Sequence, residues 1–125
     1  MNPLTEVLDR AGPALVAELE AFYKDIHQHP ELSMQEVRTA KIVADAMEGL
    51  GYEVTRNVGV TGVVCVMKNG TGPTVMLRAD MDALPMAEDT GLPYASTVTA
   101  RDDEGVEVGV AHSCGHDMHV TWMIG

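Results

Sequence analysis

His112-Ser113-Cys114-Gly115-His116-Asp117-Met118-His119 gathers three imidazoles, a thiol and a carboxylate into eight positions. That is the donor set which zinc and its neighbours in the first transition row prefer. Cys114 and His116 are one residue apart, so an extended or turned backbone can aim both side chains the same way, with Gly115 leaving the path between them open. These two are the expected metal ligands. If a helix opens near His116, His119 lies three residues on and shares its face, as a third ligand or as a group behind the ligands. Asp117 could bridge two ions or orient an imidazole. Single histidines are usually surface or core residues, but three of the five histidines and one of the two cysteines fall in this stretch, and that density favours a metal.

Two fainter groups lie upstream. In Arg78-Ala79-Asp80-Met81-Asp82-Ala83-Leu84-Pro85 the carboxylates of Asp80 and Asp82 are two residues apart, hence on one face of a strand end, where they could hold a metal ligand or share a proton. Taken alone, such a pair more often caps a following turn. His27, His29 and Glu31 flank Pro30, and their expected role is structural, closing one helix and leading into the next.

The elements that must position these groups can be read from periodicity. After the Gly12-Pro13 break, Leu15, Leu19, Phe22 and Ile26 form one apolar stripe at helical spacing, and His29-Pro30 ends it. Ser33 with Glu36 reads as a capping box for a second helix, whose stripe is Val37, Ala40, Val43, Met47 and Leu50 and whose stop is Gly51. Three β-rich runs follow, Glu53 to Val58, Gly62 to Lys68 and Thr74 to Leu77, and the last two are expected to form a hairpin. Ser96 to Arg101 and Val106 to Val110 flank the acidic turn Asp102 to Gly105 and read as an exposed hairpin with solvated carboxylates. A helix is expected from about His116, with Val120, Met123 and Ile124 on its stripe.

Bulk composition narrows the classes of function. The 125 residues suffice for one domain, and 46% hydrophobic content supports a globular α/β fold. Eight Lys and Arg against nineteen Asp and Glu give a formal charge of -11, the wrong sign for a phosphate backbone, so nucleic acid is not an expected partner. No apolar run approaches the length of a membrane span, and no signal peptide opens the chain, so the expected location is the cytoplasm. Cys65, inside an apolar run, reads as a small buried hydrophobe; a reducing compartment and the metal-like setting of Cys114 argue against a disulfide between the two.

Three motifs occur in fixed order: His29-Pro30-Glu31-Leu32-Ser33 with Glu36 and Thr39, then Arg78 to Pro85, then His112 to His119. Together they resemble the M20 metallopeptidase family, in particular its amidohydrolase branch of hippurate, N-acyl-amino-acid and auxin-conjugate hydrolases. The resemblance implies the N-terminal part of a mixed-sheet, zinc-peptidase-like catalytic domain flanked by helices. It implies a site for two divalent ions (Zn, Mn, Co or Ni) and a small-molecule N-acyl amino acid as substrate. Cys114 and His116 take the positions of two ligands, Asp82 that of the aspartate that orients a ligand, and Asp80 a position where other branches place a ligand histidine. It further implies that the general base, a Glu in a Glu-Glu pair, the remaining His ligands and the lid domain of a homodimer or higher homo-oligomer lie beyond Gly125. On that reading residues 1–125 are one wall of the site. The competing expectation is a truncated, non-catalytic chain that binds metal weakly.

Overall fold

Gly12 and Pro13 interrupt the first helix without ending it. In the computed structural model, which describes residues 2–125, α1 spans Pro3–Gln28 and is kinked at Gly12 (φ 62, ψ 170). Pro13 lacks an N–H and is tolerated just after such a break, where it opens a new turn. The stripe of the second half lies inward, half-buried at Leu15, Leu19 and Phe22 and fully buried at Ile26.

α2 spans Val37–Gly49. Ala40, Ala44 and Met47 are buried on its inner face, while Val37 and Leu50, the ends of the expected stripe, are exposed. Its start differs from the expected capping box. The helix begins four residues after Ser33, Met34 takes a left-handed conformation (φ 64), and Glu36 stands at the cap position with no side-chain cap bond. The Glu36 carboxylate instead accepts the Thr61 hydroxyl at 2.6 Å. The cap comes from Glu31, which accepts the N–H of Arg38 at 2.8 Å and both the N–H and the hydroxyl of Thr39 at 2.6 and 2.7 Å. A carboxylate there satisfies orphan donors and complements the positive end of the helix dipole. Glu31 thus has the structural role expected of its group. The C-terminus follows expectation: Gly51 (φ 90) donates to the Glu48 carbonyl and Tyr52 to that of Met47, the paired bonds of a Schellman motif.

β1 (Glu53–Val58) and β2 (Gly62–Val66) form an antiparallel hairpin with a register shift between Thr55 and Val58. The first two β-rich runs therefore pair, not the last two. The three residues between them suit a tight return, whereas Gly70 and Gly72, both at positive φ, and Pro73 carry the chain onward. Val75, Met76 and Leu77 belong to no strand and are 80%, 85% and 77% exposed. β3 (Thr99–Arg101) and β4 (Glu107–Gly109) form the second hairpin, as the acidic turn predicts. Asp102 is only half-solvated, because its Oδ1 accepts the N–H groups of Glu104 and Val106 and closes the turn.

Two short pairings bring the three motifs together. Leu32 bridges Ala83 in parallel, with the Ala83 N–H on the Glu31 carbonyl at 2.8 Å; Leu84 and Ala111 exchange antiparallel bonds of 3.0 and 3.1 Å. Leu32, Ala83 and Val110 are buried there, with Val98, Ala100 and Val108 packed against them. Parallel and antiparallel pairings between helices give the expected mixed α/β class. α3 (His116–Ile124) packs on α1 and α2. Among the described residues, no helix is long and apolar enough to cross a membrane.

Candidate metal centre

Gly115 adopts the left-handed conformation (φ 79), a turn that glycine makes without strain, and places His116 at the first position of α3. The His116 Nδ1 lies 2.9 Å from both the carbonyl oxygen and the Oδ1 of Asp82. Two acceptors there require Nδ1 to carry the proton, which leaves the lone pair on Nε2. Nε2 is 3.6 Å from the Asp80 Oδ2, and the other Asp80 oxygen is held by Arg78 at 2.8 Å. The His119 ring stacks on His116 with centroids 5.4 Å apart, as their spacing on one helical face predicts.

One ligand atom each from Asp80, His116 and His119 therefore falls within 4.8 Å of the others, and all three residues are half-buried. Donors bound at about 2.0–2.2 Å to one ion stand roughly 3–4 Å apart, so the Asp80–His116 separation suits a shared cation. Nitrogen and carboxylate donors also suit a divalent ion chemically. Cys114 is exposed and free, and belongs to no such group among the described residues. Cys65 is also free, half-buried rather than buried, and burial pushes its thiol pKa up.

Asp117 faces away from this group. It is almost fully buried; its Oδ1 accepts the Met118 N–H at 2.9 Å and its Oδ2 accepts the His27 Nδ1–H at 2.7 Å. The other His27 nitrogen meets the Glu88 Oε1 at 3.0 Å. With a carboxylate within hydrogen-bond distance of each nitrogen, the protonated ring is the form that can donate to both. Burial alone would lower the His27 pKa, but the hydrogen bonds to Asp117 and Glu88 outweigh it, and the net shift is upward. His112, also buried, has no hydrogen-bond partner for either ring nitrogen among the described residues, and burial above all pushes its pKa down.

Glu88 is the member of this network that spacing does not reveal. Burial raises its pKa, yet the Thr90 hydroxyl, the Ser96 N–H and His27 together bring it down to about 2. A carboxyl depressed from 4.5 in the fold stabilises it fully above that value and loses this contribution as pH falls toward 2. Thermal melts between about pH 5 and 2 should show a progressive loss of stability that is shallower in Glu88→Gln. An equal slope in both proteins would contradict the assignment.

Beside His119 a cleft of ≈ 310 Å³ opens between Leu77, Arg78, Trp122 and Met123. Its wall is mainly apolar, with one cation next to Asp80.

The profile of Peptidase family M20/M25/M40 matches residues 76–125, the stretch that holds both the aspartate pair and the histidine cluster. The Hippurate hydrolase of Campylobacter jejuni is 43% identical over 125 residues, 99% of this chain and 29% of that protein. A Rhodococcus jostii protein bearing a glutamate–cysteine ligase name is 45% identical over 108 residues, 86% of this chain but 12% of its own length. The Bacillus subtilis YXEP protein, described as a dinuclear metal binding peptidase from the M20 family, superposes with a TM-score of 0.75 at 38% identity, over 89% of this chain and 29% of that one. The chain thus spans less than a third of the length of each of these proteins. Sequence profile, relatives and fold agree in the likeness of this chain to peptidase family M20/M25/M40, the profile over residues 76–125.

Proposed function

We propose that this chain supplies part of the metal centre of an amidohydrolase that cleaves the amide bond between an acyl group and an amino acid. The observation that carries the reading is the convergence of Asp80, His116 and His119, with the His116 Nδ1 tied to Asp82. The family likeness and the name of the Campylobacter relative support amide hydrolysis, and an N-acyl amino acid as the substrate class.

His116 would hold a divalent ion through Nε2, with Asp80 and His119 beside it. Asp82 fixes the tautomer and the ring orientation, and its negative charge raises the basicity of the ligand nitrogen. Cys114, exposed two residues before His116, is the thiolate assigned to a second ion. Asp117 acts behind the ligands. When bound, such ions supply Lewis-acid activation of water and of the scissile carbonyl.

The reading is tested by the release of free amino acid from hippurate and other N-acyl amino acids, with Zn, Mn, Co or Ni added. The chain and any longer protein containing it should both be assayed. Metal-dependent release, abolished by a chelator, is expected of the longer protein. Metal binding with no cleavage of any N-acyl amino acid by either would overturn the reading.

A further inference from the structure

We propose that His27 is a positioning residue of the metal centre: it anchors Asp117, and through Asp117 the first turn of α3 that presents His116 and His119. Both ring nitrogens of a buried histidine need partners, and most side-chain hydrogen bonds go to backbone or water. This one joins carboxylates from two other segments, 90 and 61 positions away along the chain, and one of them directly follows a residue of the metal group. Tyr23 and Tyr94 each pack against the ring with centroids 5.5 Å away and lie 6.1 Å from one another, a three-ring cluster that restricts its rotation.

The first turn of α3 needs such an anchor. Gly115, its cap residue, has no side chain and makes no cap bond, so the turn is fastened by its own side chains: His116 to Asp82, and Asp117 to the Met118 N–H on one side and to His27 on the other. The far side of the link is also tied down. Glu88 accepts the Ser96 N–H, and the Ser96 hydroxyl donates to the Val110 carbonyl at 2.7 Å, two residues before His112. α1, the segment around Glu88 and the histidine motif thus meet at one ring. Ligand sites tolerate displacements of only about half an ångström, so loosening this ring is expected to reach the ligands.

This inference rests on the metal reading above, and the test separates the two. Co(II) affinity and the visible spectrum of the bound ion are measured for the unaltered chain, His27→Gln and Ile26→Val. Ile26 adjoins His27 and is fully buried, but it lies outside the hydrogen-bonded network, so its variant controls for lost packing. His27→Gln should bind Co(II) about 10–100-fold more weakly, with a changed spectrum, while Ile26→Val keeps both. Unchanged affinity and spectrum in His27→Gln, or an equal loss in Ile26→Val, would overturn the inference alone. Absence of Co(II) binding by the unaltered chain would overturn the metal reading and this inference with it. Should His27→Gln fail to fold, Asp117→Asn, which keeps the shape and one acceptor oxygen, takes its place, and unchanged affinity there would be equally decisive.

Discussion

Replacing His116 with alanine is expected to reduce the chain's affinity for Zn or Co(II) by at least about a hundredfold, roughly 2.7 kcal/mol of binding free energy. Three effects add in the same direction. The lone pair on Nε2 is lost, the Asp82 carboxylate loses the ring it orients, and Asp80 is left held only by Arg78 on its other oxygen. Changing Asp82 alone leaves the ligand in place but free to turn or to switch tautomer, so about 10–100-fold is expected there. Competition titration against a chromophoric chelator ranks the two. Equal affinity in His116→Ala and the unaltered chain would remove His116 from the site.

The largest expected effect on stability is at Asp117. Its replacement by alanine leaves the buried His27 ring with one carboxylate instead of two and the Met118 N–H without its side-chain acceptor. Glu88 still pairs with the ring, so the cost is that of a buried donor left without its acceptor, about 1–3 kcal/mol, a large share of the roughly 5–15 kcal/mol that holds a domain folded. Urea denaturation should therefore show a midpoint far below that of the unaltered chain at the same slope. A shift under about 1 kcal/mol would mean that water replaces the lost carboxylate and that the network is not closed.

The sequence reveals those features whose cause is local. Gly51 marks the end of α2 because a left-handed residue is needed there, and the Asp102 to Gly105 turn marks the second hairpin because an Asx carboxylate and a glycine suit it. The i, i+3 spacing of His116 and His119 likewise anticipates their stacked rings. What the sequence conceals is partnership over distance. The β-rich run Thr74 to Leu77 suggests a strand, but not that β1 occupies the place beside β2. Ser33 and Glu36 have the capping spacing, yet the turn through Met34 delays the helix and hands the cap to Glu31.

The same holds within the site. Density alone singles out the stretch from His112 to His119, and the folded chain brings Asp80 into it through the pairing of Leu84 with Ala111. Nothing in the spacing of Glu88 or His27 announces their link, because a buried ion pair across 61 residues imposes no period on the chain. Polar groups buried far from their partners in sequence are the part of such a site that only the fold discloses.

The central claim is that the chain holds a divalent ion through imidazole nitrogen and carboxylate oxygen at Asp80, His116 and His119. X-ray absorption fine structure on the chain loaded with one equivalent of zinc reads those ligands directly. Two imidazole nitrogens at about 2.0–2.1 Å, with the outer-shell scattering of the rings, are the predicted result. A shell of oxygen donors with no imidazole would contradict it.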